Sequence, residues 1–278
     1  VTGCSAFTLA DAERRFGLAP DRGLVIANGV DVVGAHPGTS EPVGAHPGTS
    51  APVGAHPGTS AEGGAQETGP SDRPEPPDRP YIVALGRVVE KKGFDLLMAA
   101  YAATDRAQET VDLVIGGSGS ALEDLRSLAE TLGITDRVHF VGRLGREQVA
   151  RFMSGAELFV MPSRLEPFGI VILEGWRAGV AVVATTQGGP PEFVHDGQDG
   201  LLVDPFDATA FAAVLDQLVT DDAKRRSVAA AGRERVAEFA WPVIAERYRA
   251  VYASVVPTRE VTELGHHLSH PPQGESVS

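Results

Sequence analysis

YIVALGRVVEKKG (81–93) carries the reading of the fold. A run of apolar residues, YIVALG (81–86), is followed at once by a loop of Gly, Arg and Lys and then by a helical pattern over 93–104. A strand that is apolar on consecutive rather than alternate residues is buried on both faces. The same arrangement recurs in VDLVIGG (111–117), VHFVG (138–142), ELFVMPS (157–163) and VAVVATT (180–186), with helical stretches over 120–132, 146–154 and 168–178 between them. Alternating strand and helix implies right-handed crossovers. The expected fold class is α/β: a Rossmann-like parallel sheet with helices on both faces. Upstream, 8–18 is helix-like and 24–29 strand-like, and both are assigned to the same domain. Downstream, 207–219, 221–239 and 241–253 have helical patterns.

Composition limits the function. The 278 residues give room for one or two domains, and the net charge is −13. An acidic chain is a poor general nucleic-acid binder, so no nucleic-acid partner is expected. No apolar run approaches the ~20 residues that span a bilayer, and no signal peptide is evident. One cysteine, Cys4, rules out an internal disulfide framework and fits a reducing cytoplasm. Because Val1 runs directly into patterned sequence, further chain upstream is expected.

Residues 33–80 differ from the rest. VGAHPGTS occurs three times, starting at Val33, Val43 and Val53, and a Gly/Pro-rich stretch follows. With almost no large apolar side chains this segment cannot offset its ordering entropy, so it is read as a disordered repeat insert. His36, His46 and His56 lack a rigid frame and are read as repeat duplication rather than metal ligands. The tail 257–278 is read the same way. The expected organisation is 1–32 as the start of the domain, 33–80 as the insert, 81–256 as the main domain and 257–278 as the tail.

In an open parallel sheet, ligands bind where the strands' C-terminal ends lead into helices. The loops at those ends are GRVVEKKG, GGSGS, GRLGRE, PSRLEPFG and TTQGGPPE, all rich in Gly or small polar residues. Their convergence on one crevice points to a phosphate-bearing ligand. The chain has 24 basic residues but only three lysines, and Lys91 and Lys92 lie beside Arg87 in the first loop. A guanidinium fork and an ammonium both suit a diphosphate, although solvated surface charge is the plain alternative. Lys92→Ala is expected to weaken diphosphate binding while leaving folding nearly untouched, because a surface cation contributes little to stability. The second loop opens a helix, where small residues let amides approach phosphate. It lacks the third glycine of a dinucleotide fingerprint, since Leu122 stands there, and no ribose-binding acid follows, which argues against a nicotinamide cofactor.

SRLEPFGIVILEGWRAG (163–179) carries two carboxylates, Glu166 and Glu174. Pro167 suits a first helical turn. Were the segment wholly helical, the glutamates would stand ~12 Å apart, too far to share a proton or a metal but suited to holding two parts of an extended ligand. Carboxylates accept from sugar hydroxyls. The structural alternatives are Glu166 as a helix N-cap and Glu174 as an arginine's buried partner.

Together VIANGVD (25–31), GRVVEKKG (86–93), LVIGGSG, VHFVGRL, PSRLEPFGIVILE, GGPPEFVHDGQDGLLVDPFD and FAWPVIAERY resemble the nucleotide-sugar-binding half of a GT-B glycosyltransferase. The resemblance is to the retaining group 1 enzymes, glycosyltransferase family 4, and covers 81–253 plus 1–32. It implies a hexosyl transfer from a nucleoside-diphosphate sugar to an unknown acceptor hydroxyl with retention, without a metal or other cofactor. It implies that Arg87 and Lys92 meet the donor diphosphate, that Glu166 contacts the transferred sugar and that Glu174 binds the ribose. The amides around Phe168, Gly169 and Ile170 would face sugar and phosphate, and Leu144, after Arg143, would meet the base through its backbone. Gly86, Gly117, Ser118, Gly119, Gly188 and Gly189 would line the crevice. The acceptor-binding N-terminal domain of such enzymes is missing from this sequence. EGWRAGVA departs from the family's pattern at Trp176 and Ala181, read as packing changes. A non-catalytic nucleotide-sugar-binding module and a nucleotide-sugar epimerase are the alternatives. Trp241, Ile244, Tyr248 and Tyr252 fall on one helical face, expected to leave an exposed apolar patch.

Overall fold

The computed structural model describes residues 1–17, 19, 23–31 and 74–255. The three VGAHPGTS repeats with their histidines, and the tail 257–278, lie outside the described residues.

The main body is a six-stranded parallel sheet. Its strands are β3 (Tyr81–Leu85), β4 (Asp112–Gly116), β5 (Val138–Gly142), β6 (Leu158–Met161), β7 (Ala181–Thr185) and β8 (Leu201–Val203), in the order β5-β4-β3-β6-β7-β8. That is the doubly wound order in which the chain starts in the middle, builds outward to one side, and returns to build the other. The reversal falls between β3 and β6, where Ile82 pairs with Leu158 and Val83 with Phe159. Sequence reading found the first five of these strands; β8 escaped it because three residues at the sheet edge give too short an apolar run.

Both faces are covered, as consecutive apolar residues require. Ile82, Ala84, Leu113, Ile115, Leu158 and Val160 point into one core cluster. It is closed by α2 (Phe94–Ala102), α4 (Leu122–Thr131) and α7 (Ala208–Thr220), with Leu97, Leu125 and Phe211 among the buried residues. Tyr81, Val83, Val114, Phe159 and Met161 point into the other. Phe152 and Met153 of α5 (Arg146–Ser154) and Ile172, Leu173 and Trp176 of α6 (Ile170–Ala178) fill it. The short α3 (Ala107–Thr110) precedes β4, and α8 (Asp222–Arg235) and α9 (Trp241–Val255) end the fold.

Three points refine the sequence expectations. The N-terminal strands β1 (Thr2–Gly3) and β2 (Leu24–Val25), joined through α1 (Ala6–Phe16), pair in parallel with each other and add nothing to the main sheet. Leu24 and Val25 are half exposed, lacking the two-sided burial of the other strands. This segment is held to the body by Val30, whose amide donates to Phe239 O at 2.8 Å and whose carbonyl accepts from Trp241 N at 3.2 Å. Second, residues 74–80, expected to belong to the insert, are described and packed against the body. Arg79 binds the Asp112 carboxylate (3.1 Å) and the Glu109 carbonyl (2.9 Å), and Glu75 pairs with Arg151. Charged anchors replace the apolar ones that the sequence lacks there. Third, the 168–178 helix begins at Ile170, capped by Gly169, so Pro167 stands outside it. On α9, Ile244 is fully buried, while Trp241 and Tyr252 remain exposed as expected.

Asp112, at the base of β4, ties this lower edge together. Its buried carboxylate takes Arg79, Arg137 (3.0 Å) and His139 (2.8 Å). Burial pushes this carboxyl up, but the hydrogen bonds from His139 and Arg137 outweigh it and hold it below the usual aspartate range.

Candidate functional site

At the opposite edge the loops after β3, β4 and β5 are sewn together by their backbones. Gly86 N donates to Gly116 O (3.0 Å), Val88 N to Ser118 O (2.9 Å) and Gly117 N to Gly142 O (2.7 Å). Gly117 has φ 140°, and a Cβ there would overlap the Gly86 carbonyl oxygen. The same close approach holds at Gly119 against Val88 O, Gly188 against Glu166 O and Gly189 against Pro167 O. These glycines serve loop-to-loop packing first. Gly119, Gly188 and Gly189 are not among the residues that line the cavity these loops enclose; Gly188 and Gly189 lie instead against the backbone of Glu166 and Pro167.

That cavity measures about 420 Å³. Gly86, Arg87, Gly117, Ser118, Arg143, Leu144 and Glu174, all singled out from sequence, line it. Leu85, Val149 and Val171 add an apolar wall that sequence reading did not name; each looks like an ordinary core residue in a one-dimensional pattern. The Arg87 and Arg143 side chains are exposed and have no hydrogen-bond or ion-pair partner among the described residues. In a chain of net charge −13, two uncompensated guanidiniums over one cavity make an anion-attracting mouth.

Glu174 reaches the cavity from α6. It has no ion-pair partner within salt-bridge distance among the described residues, so the reading of it as an arginine's buried partner fails. Burial pushes its carboxyl above the usual glutamate range, while Arg177 and Arg146 pull it back in part. An acid held at that cost beside a cavity is a candidate to accept a ligand hydroxyl.

Lys92 and Glu166 lie outside the cavity's lining, at the seam between β3 and β6. Lys92 Nζ donates to Glu166 Oε2 at 2.6 Å, and the buried Ser163 hydroxyl donates to the same oxygen at 3.0 Å. Oε1 has no partner among the described residues. Glu166 is therefore not a helix cap. Its backbone is fixed by the loop after β7, Glu166 N donating to Gln187 O (2.9 Å) and Gly189 N to Glu166 O (2.8 Å). The ~12 Å spacing of a continuous helix does not apply, because the helix starts four residues after Glu166. Lys92 is also not a free surface cation, so its loss bears on folding as well.

Phe168 is buried and stacks on Phe193 with ring centroids 4.7 Å apart. The amides of Phe168, Gly169 and Ile170 find no backbone acceptor among the described residues. They form the open N-terminal end of α6 beside Glu166, an arrangement suited to an anion. The site thus has two parts: a cavity with the cations Arg87 and Arg143 and the acid Glu174, and a seam with the Lys92–Glu166 pair and the open amides of α6. Trp176 stays out of both. It is fully buried, donates from Nε1 to Asp199 O at 2.7 Å and packs where Gly232 leaves space.

The family model described as "Glycosyl transferases group 1" matches residues 66–235. The lipopolysaccharide core biosynthesis glycosyltransferase LpsE of Rhizobium meliloti is 38% identical over 180 residues, covering 64% of this chain and 51% of that protein. A GDP-mannose-dependent alpha-(1-6)-phosphatidylinositol monomannoside mannosyltransferase of Mycobacterium tuberculosis is 36% identical over 178 residues, covering 61% and 46%. The chain spans about half the length of these curated relatives. Among solved structures, HepE of Anabaena in complex with UDP superposes with a TM-score of 0.69 over 92% of this chain and 64% of that one, at 22% identity. Sucrose-phosphate synthase of Thermosynechococcus elongatus gives 0.67 over 91% and 58%, at 26% identity. The HepE likeness bears on the fold alone.

Proposed function

The chain belongs to the group 1 glycosyl transferases, and on that premise we propose that it holds the nucleoside-diphosphate sugar for a retaining hexosyl transfer. The observation that carries this reading is the cavity in which Arg87, Arg143 and Glu174 meet the glycine-sewn loops after β3, β4 and β5. In this reading the base lies against Leu85, Leu144 and Val149, and Glu174 accepts from the ribose hydroxyls. The diphosphate faces Arg87 and the open amides of α6. The sugar extends to the seam, where Glu166 offers Oε1 to its hydroxyls.

In the reaction the bond between the anomeric carbon and the diphosphate oxygen breaks. The acceptor hydroxyl oxygen bonds to that carbon on the same face, and its proton passes to the departing diphosphate. Negative charge grows on that diphosphate, and preorganised cations and amides lower the barrier where charge develops. Arg87, Lys92 and the α6 amides fill that role without a metal. Glu166 orients the sugar and is not assigned as a nucleophile. The acceptor is held by a second domain that is not among the described residues, and the single cysteine suits a cytoplasmic reaction. Among the described residues no helix is long and apolar enough to cross a membrane.

Equilibrium titration with UDP, GDP and their hexose conjugates tests the reading. Saturable binding to at least one of them is expected; none, with the fold intact, would overturn it. Binding without any transfer in the presence of a full set of acceptors would instead favour a non-catalytic nucleotide-sugar module.

A further inference from the structure

The seam between β3 and β6 contains a second ion pair that the site description has not used. Arg164 and Asp95 meet in a two-pronged contact, Nη1 to Oδ1 at 2.7 Å and Nη2 to Oδ2 at 2.6 Å. Alone, a pair with side chains 25% and 36% exposed would count for little. Its surroundings make the difference. The same Nη1 also donates to Glu90 O at 2.8 Å, and the Arg164 amide donates to Lys91 O at 3.0 Å. Asp95 stands in the first turn of α2, just past the turn Glu90–Lys92. One residue therefore grips this turn on both sides of Lys92. At Gly93 the two loops press backbone on backbone, since a Cβ there would overlap the Pro162 carbonyl. On the other side Arg164 stands in the chain between Ser163 and Glu166, whose Oε2 accepts from both the Ser163 hydroxyl and the Lys92 ammonium.

We propose that Arg164, clamped on Asp95, is a positioning residue that sets the Lys92 ammonium onto Glu166 at the sheet's reversal point. Its action passes through Lys92 and not through contact with ligand. Asp95 fits this part: burial pushes its carboxyl up, yet the hydrogen bond and charge of Arg164 hold it below the usual range, so the clamp stays ionised at neutral pH. The role of the pair in binding rests on the reading of the site given under Proposed function; the placement of Lys92 does not.

The test is a double-mutant cycle of Arg164→Ala and Lys92→Ala with two readouts. Without ligand, carbon and nitrogen NMR of the Glu166 carboxyl and Lys92 ammonium reports the pair directly. With UDP and GDP, calorimetry reports affinity. Arg164→Ala is expected to shift both resonances and to weaken nucleotide binding roughly tenfold. In a Lys92→Ala background it should weaken binding no further. Arg164→Lys, which cannot make the fork, should behave as the alanine variant does; should Arg164→Ala fail to fold, Arg164→Lys and Asp95→Asn carry the test. Unchanged resonances in a folded variant overturn the proposal, as does a full additional loss of affinity without Lys92. Shifted resonances in a protein that binds neither nucleotide would uphold the clamp while removing the functional reading.

Discussion

Lys92 Nζ and Glu166 Oε2 meet 2.6 Å apart across the line where the strand order reverses, with only 20% and 10% of their side chains exposed. The pair joins the loop after β3 to the loop after β6, so a change at either end acts on fold and site together. Lys92→Ala leaves a carboxylate buried with only Ser163 for a partner. Chemical denaturation should show a loss of about 1–3 kcal/mol, below the 3–5 kcal/mol of a fully buried pair. Affinity for a nucleoside diphosphate should fall about tenfold or more, since a charge-assisted contact is removed.

Glu174 gives a pH signature. Its folded-state carboxyl is raised, chiefly by burial. The ionised form is thus disfavoured in the folded state, and stability is lost as pH rises through the raised value. Glu174→Gln should melt slightly higher than the parent at neutral pH and bind nucleotide about tenfold less well, as expected for a lost hydrogen bond to a charged group. Parent affinity should decline on acidification from above the ordinary glutamate pKa of about 4.3, and the Gln variant should lack that decline.

Gly232 and Trp176 form a matched pair in the second core cluster. A Cβ at Gly232 would overlap the indole Cδ1. Gly232→Ala should cost about 1–3 kcal/mol by overpacking, read as a lowered Tm. Nucleotide affinity of the folded fraction should be unchanged, because Trp176 is not among the residues that line the cavity.

Asp112 should govern acid stability. Its depressed carboxyl contributes stability that is complete above the unfolded pKa of about 3.9 and is lost as pH falls through the lower folded value. Unfolding free energies of the parent and Asp112→Asn should differ at pH 7 and converge in acid.

The sequence made the sheet legible because its strands are buried on both faces, which leaves consecutive apolar residues such as Ile82, Val83 and Ala84. It made the cavity legible because Gly117 and Arg87 stand directly at strand ends. It did not show which glycines press on a neighbouring loop: Gly117 lines the cavity and meets the Gly86 carbonyl, while Gly188 and Gly189 meet the carbonyls of Glu166 and Pro167. It also missed the Lys92–Glu166 and Arg164–Asp95 pairs, whose members lie 74 and 69 residues apart. Such pairings are set by the return of the chain from one half of the sheet to the other. The N-terminal strands show a related limit: LVIANG has strand composition, and Leu24–Val25 is a strand, but only pairing decides which sheet takes it.

The most direct test is amide NMR of the protein during titration with UDP and GDP. The account predicts saturable shifts centred on Gly86, Arg87, Gly117, Ser118, Arg143 and Leu144, with further shifts at Phe168 to Ile170 when the hexose conjugate is added. Saturable shifts confined to another surface, with these amides unmoved, would contradict it.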